Sequence, residues 1–195
     1  MKNSLTFLYL TILGTSILFG QTDSYQLDVG HTFIGFDVER FLVGEVSGRF
    51  NECTAEIQLK GDDFTSLSVS TVIQVNSIDS NNETRDGHLQ GPMWLDAASH
   101  PDIRFTSTSI TGSAEEGYTM KGDFTIHGVS KEVSFPVVFS GPFKDPTQQT
   151  AIGMKADFSI NRFDYGISFN KTLDSGDLLI GDEVKIKIRA LAYKK

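Results

Sequence analysis

From Ile34 onward the chain places an apolar residue at every second position, and this period of two constrains the fold more than any other feature. Ile34, Phe36 and Val38 alternate with Gly35, Asp37 and Glu39. Ala55, Ile57 and Leu59 alternate with Glu56, Gln58 and Lys60, and Val69, Thr71, Ile73 and Val75 continue the pattern. Further runs follow at Ile103–Phe105, Met120–Ile126, Val133–Phe139, Met154–Ile160 and Val184–Ile188. Such a rhythm belongs to strands with one buried and one wet face. Eight segments are predicted, separated by turn residues at Gly61-Asp62-Asp63, Glu116-Gly117, His127-Gly128, Gly141-Pro142 with Asp145-Pro146, and Ser175-Gly176-Asp177. Eight strands joined by short turns must hide their edges, and closure into an antiparallel barrel does so best. A sandwich is the rival architecture. Pro136, which cannot donate to a ladder, predicts an edge or a bulge in the sixth segment.

The rhythm stops once. Thr84-Arg85-Asp86-Gly87-His88-Leu89, followed by Trp94-Leu95-Asp96 and His100-Pro101, concentrates charge between the third and fourth strands. Ser80 and Glu83 have the spacing of a capping box, and Gly87, Gly91 and Pro92 keep the resulting helix short. A short helix there is expected to sit over or beside one opening of the barrel, with Arg85 and Leu89 on one face.

The N-terminus has the form of an export signal. Lys2 precedes an almost wholly apolar stretch from Leu5 to Phe19, and Gly20-Gln21 offers a small residue for cleavage. Residues 1–20 are therefore expected to be a signal peptide and residues 21–195 one domain, periplasmic or secreted; a retained membrane anchor is the alternative. No Cys follows the leader to accept a lipid. The single Cys53 cannot form an internal disulfide and is expected to be a small buried hydrophobe. A formal charge of −8 without a basic run opposes nucleic-acid binding and electrostatic docking on anionic lipid. Beyond the leader, 13 of the 15 Phe are spread over nearly every strand. That is more aromatic volume than a small core requires.

Several blocks resemble, in order, the signatures of the YceI-like family. They are Tyr25-Gln26-Leu27-Asp28 with His31, Gly48-Arg49-Phe50, Ser77-Ile78, Arg85-Asp86-Gly87-His88-Leu89, His100-Pro101-Asp102-Ile103-Arg104-Phe105, Thr125-Ile126-His127-Gly128-Val129-Ser130-Lys131 and Asn161-Arg162-Phe163-Asp164-Tyr165-Gly166-Ile167. The resemblance runs from about Tyr25 to the C-terminus. It implies an all-β, eight-stranded antiparallel lipocalin-like barrel exported to the periplasm, holding a polyisoprenoid lipid in an elongated apolar cavity. It implies no enzymatic activity and no cofactor beyond a bound lipid such as a polyprenyl chain or an isoprenoid quinone. The partners to expect are that lipid, transient contact with a membrane or membrane protein for exchange, and no nucleic acid. A tunnel with a greasy end also gives a reason to form a homodimer.

An isoprenoid tail offers little to hydrogen-bond, so affinity must come from apolar area, at ~0.8 kcal/mol per buried CH₂. The inward-phase residues Ile34, Phe36, Val38, Val69, Ile73, Phe105, Phe124, Ile126, Phe135, Phe139, Phe158 and Ile186 are the expected liners. Each alone is more often plain core, and it is the excess of Phe as a group that points to a cavity. Arg85, His88 and Arg162 are the expected head-group rim, with Arg85 a fork-shaped donor. Asp86 is expected to pin the helix by pairing with Arg85 or Arg162. The alternative function is a lipid ester or amide hydrolase with Asp86 and His88 as acid and base and Ser77 or Ser130 as nucleophile, but no nucleophile elbow accompanies them. His31, His88, His100 and His127 have no metal-ligand spacing among themselves, so no metal is expected.

Overall fold

The computed structural model describes residues 21–41, 43–170 and 179–195. The expected signal peptide and the Ser175-Gly176-Asp177 turn lie outside the described residues. Strands β1 (Thr22–Leu27), β2 (Phe33–Arg40), β3 (Gly44–Phe50), β4 (Cys53–Lys60), β5 (Ser68–Gln74) and β6 (Ile78–Asp79) precede helix α1 (Glu83–Gln90). After it come β7 (Asp102–Ser113), β8 (Gly117–Ile126), β9 (Val129–Lys144), β10 (Thr150–Asn161) and β11 (Ile180–Lys194).

These strands form an eight-stranded, up-and-down antiparallel barrel, because the first six are three long strands broken in the middle. β1 and β2 both pair with β11, at Tyr25–Leu27 and Phe33–Arg40 respectively, and β4 and β3 continue the wall beside them. The order then runs through β5, β7, β8, β9, β10 and back to β11, with β6 on β3. Each break has a local cause. Asp28 caps a 3₁₀ turn at Val29–His31 with its carboxylate. A second turn, Val75–Ser77, is held by Val75 N–H donating to the Pro101 carbonyl at 2.9 Å, and Asn51 N–H beside it donates to the Ser77 carbonyl at 3.0 Å. The eight segments of the alternation correspond to β2, β4, β5 and β7 to β11. The other halves, β1, β3 and β6, are short or carry few branched residues, so period two barely marks them.

One turn reading needs correction. Gly141-Pro142 lies within β9, not between strands, as a bulge at which the register to β10 shifts. Gly141 has φ +92°, and a Cβ there would lie 2.6 Å from the Ala151 carbonyl oxygen. The turn itself comes later, where the Asp145 carboxylate accepts from Thr147 and Gln149 N–H. Pro136 behaves as expected: β10 pairing ends at Val137, so Pro136 begins a local edge of β9. The 3₁₀ turn Arg162–Tyr165 approaches that edge, with Lys131 to Asp164 at 3.2 Å.

The base of the barrel, at the β4–β5, β7–β8 and β9–β10 turns, is packed with aromatic rings. Phe64 stacks on Phe139 at 4.6 Å and Phe135 on Phe158 at 4.2 Å, with Phe105 packed against Phe135 at 5.7 Å. Leu59 and Met120 are fully buried there, and Cys53 is a buried free thiol. On the outside of β2, Asp37 is only 4% exposed, accepts from Ser47 Oγ at 2.6 Å and pairs with Lys187. Burial raises its pKa, but the bonds from Lys187 and Ser47 outweigh this and hold the carboxyl below its ordinary value. Its stabilisation is therefore present above the unfolded pKa of about 3.9 and lost as pH falls through the lower folded value. Asp37→Asn should destabilise by about 1–3 kcal/mol at neutral pH. Urea denaturation from pH 7 to 2 should show that gap closing below about pH 4; a gap constant with pH would refute the ion pair's role.

Candidate functional site

The opposite end of the barrel is hollow. A chamber of about 770 Å³ lies beneath α1 and is walled by β2, β3, β10 and β11. It narrows to a waist of Ile34, Ile73, Phe124 and Ile186, below which a second space of about 90 Å³ reaches into the aromatic base. The larger volume falls within the ~300–1,000 Å³ range of small-molecule sites.

All twelve expected liners border one space or both. Ile34, Phe36, Val38, Ile73, Phe124, Ile126 and Ile186 border the upper chamber. Val69, Phe105, Phe135, Phe139 and Phe158 border only the lower one. The distribution of aromatic volume thus differs from expectation: much of the Phe excess packs ring on ring at the base, and the roomy part is lined mainly by aliphatic residues. Phe36 lies close over Gly48, where a Cβ would come within 2.5 Å of its ring. Liners that periodicity missed are Val46 and Phe50 on the weakly patterned β3, and Trp94, Leu95, Ile167 and Phe169 outside strands. For the last four, only the local cluster of apolar residues was available as a signal.

Helix α1 sits over the chamber, with Arg85, His88 and Leu89 facing it, and exposed Arg40, Asn82, His88, Pro92 and Met93 mark the rim. The capping box does not form. Asn82 is the N-cap and accepts from Arg85 N–H at 3.0 Å. Ser80 instead anchors the helix, donating its N–H (2.9 Å) and hydroxyl to Asp86 and accepting from Arg85 Nε at 2.7 Å. Asp86 therefore pins the helix, but through Ser80 and not through Arg85 or Arg162. Nη1 of Arg85 makes no hydrogen bond among the described residues.

Arg162 is not at the rim. It is 3% exposed and donates to four carbonyls: Gly181 at 2.9 Å, Ile167 at 2.7 Å, Phe169 at 2.8 Å and Ile180 at 3.2 Å. Burial pushes its pKa below the ordinary arginine value, with Asp182 opposing. It borders the chamber as a fixed strut between the end of β10 and the start of β11.

The hydrolase constellation does not assemble. Asp86 is occupied by Ser80, and Ser77 donates to the Gln74 carbonyl and accepts from Glu52 N–H. Among the described residues no serine hydroxyl hydrogen-bonds to an imidazole. His31 pairs with Asp28, and His88 stands at the rim. His100 and His127 are brought together, with ring centroids 4.8 Å apart, a proximity their sequence spacing does not reveal.

A closed eight-stranded barrel with an apolar chamber under a short polar helix defines an internal-cavity barrel of the lipocalin-like kind. A family model described as the YceI-like domain matches residues 25–192, and the chain belongs to that family. A UPF0312 protein of Staphylococcus aureus (strain MRSA252) is 32% identical over 168 residues, covering 86% of this chain and 95% of its own length. The YCEI protein of Campylobacter jejuni superposes with a TM-score of 0.68 at 27% identity, over 87% of this chain and 96% of its own. Burkholderia cenocepacia BcnA (TM-score 0.73, 20% identity, 85% and 98% coverage) has the same fold. So does a polyisoprenoid binding domain from Saccharophagus degradans implicated in plant cell wall breakdown (TM-score 0.67, 14% identity, 89% and 99% coverage).

Proposed function

We propose that this protein is an exported, non-enzymatic carrier, store or sensor of one lipid with a long apolar tail, of the polyprenyl or isoprenoid-quinone class. The observation that carries this reading is the 770 Å³ chamber, mostly apolar along its walls, with Arg162 the buried charged residue beside it and the other polar groups gathered under α1 and at the rim. The tail lies along Ile34, Phe36, Val38, Ile126 and Ile186 and points towards the waist. Ten buried methylenes contribute ~8 kcal/mol before ordering costs are subtracted. The head group meets Arg40, Arg85 and His88, with Arg85 Nη1 as a donor already oriented by Ser80. The Saccharophagus domain's stated ligand class and the apolar leader support the lipid class and the export, respectively. Exchange of such a ligand requires transient contact with a membrane or a membrane protein.

The test is to express the full chain with export, purify the mature protein, extract it with organic solvent and run mass spectrometry. One prenyl lipid or quinone per protein is expected. Repeated absence of any stoichiometric isoprenoid overturns the assignment.

A further inference from the structure

We propose that Asp96, His100 and His127 form a binding site for a divalent transition-metal ion, zinc being the ion this donor set suits best. The inference is independent of the lipid reading. The three side chains offer ligand atoms that all lie within 4.8 Å of one another, and all three are half-buried. They come from two parts of the chain that only the tertiary fold brings together: the turn after α1 and the β8–β9 turn.

The local structure arranges them as ligands. The Asp96 carbonyl accepts from Ser99 N–H at 3.0 Å and His100 N–H at 2.7 Å, so residues 96–100 form one tight turn with the two side chains four positions apart. His100 lies directly against Gly128, where a Cβ would come within 2.6 Å of the imidazole. His127 Nδ1 is 3.3 Å from the Tyr165 carbonyl oxygen. A carbonyl can only accept, so Nδ1 carries the hydrogen and Nε2 of the neutral ring presents its lone pair. A metal-bound imidazole typically has this arrangement, in which the second nitrogen donates to a backbone carbonyl and fixes tautomer and ring plane. The Asp96 carboxylate and the His100 ring make no hydrogen bonds among the described residues, so neither ligand must give up a partner to bind.

Two imidazoles and one carboxylate form a borderline-soft set with a net charge of −1, matched to Zn²⁺, with a fourth position for water. Ligand atoms on a tetrahedral zinc are about 3.3 Å apart for bonds of about 2.0–2.1 Å. Binding therefore draws the two turns together slightly. Because Trp94, Leu95 and Ile126 line the chamber next to these ligands, the ion would clamp the chamber wall beneath α1 to the β8–β9 turn. His31 and His88 are not part of the site.

The experiment uses the mature protein without an affinity tag, stripped with chelator and titrated with zinc alone by calorimetry. Cobalt titration followed by visible absorption is run in parallel. Saturation at one ion per chain is expected, with a tetrahedral cobalt spectrum and a rise in unfolding midpoint of about 5–10 °C at a hundredfold excess over the dissociation constant. Asp96→Asn and His127→Asn should each weaken binding at least tenfold. Asn tolerates the positive φ of 46° and 51° at these positions, so the metal-free variants should melt close to the metal-free parent. His88→Asn should bind as the parent does. No saturable uptake by the parent, or uptake equal in the parent and both ligand variants, overturns the site.

Discussion

Arg162→Lys should lower stability by about 3–5 kcal/mol and the unfolding midpoint by roughly 6–20 °C. A lysine keeps the charge but offers a single nitrogen, whereas Arg162 distributes its donors over the carbonyls of Gly181, Ile167, Phe169 and Ile180. Those acceptors lie on both sides of the long β10–β11 connection. Without the planar fork, several become buried and unsatisfied together, at about 1–3 kcal/mol each and not additively. The ring contacts of the guanidinium with Phe163 at 4.4 Å and Trp94 at 5.9 Å are lost as well. Thermal and urea denaturation of the parent, Arg162→Lys and Arg162→Ala check this. Were Arg162 a head-group ligand instead, Arg162→Lys would weaken lipid binding and leave the midpoint within about 2 °C of the parent.

Val184→Trp should abolish most lipid loading without harming the fold. Val184 sits on β11 opposite Val38 and borders the upper chamber well above the waist. An indole there projects into empty volume and not into packed atoms, so stability should change by less than about 1.5 kcal/mol. Displacing contact with about three methylenes costs the ligand ~2.4 kcal/mol, roughly fiftyfold in affinity. Lipid recovered per protein after export, compared at equal midpoint, provides the measurement. Undiminished loading would mean that the tail does not occupy this chamber.

Much of the barrel was legible because alternation is a local property. Residues such as Phe36, Ile57, Phe135 and Ile186 announce a buried face through their immediate neighbours, and Pro136 announces the loss of a ladder bond through its own ring. The position of α1 was equally legible, since Gly87, Gly91 and Pro92 break the rhythm in one place. The cap was not: Ser80 and Glu83 have capping-box spacing, but in the fold Ser80 is taken by Asp86 and Arg85, and Asn82 caps the helix instead. The three broken strands were also hidden. β6 is two residues long, and β3 shows its face through Val46 and Phe50 alone.

Chain-local chemistry alone therefore determined an all-β barrel, the helix that interrupts it, and the apolar character of whatever lies inside. The tertiary structure decided which rings met and which walls stayed apart, closing the base with stacked Phe and leaving the chamber mainly to aliphatic residues. It also buried Arg162 among carbonyls that sit 5 to 19 positions away, and set His127 beside His100 across a separation of 27. Periodicity reports which face of a strand is dry, whereas the void, the strut and the imidazole pair depend on distances between segments that are remote along the chain.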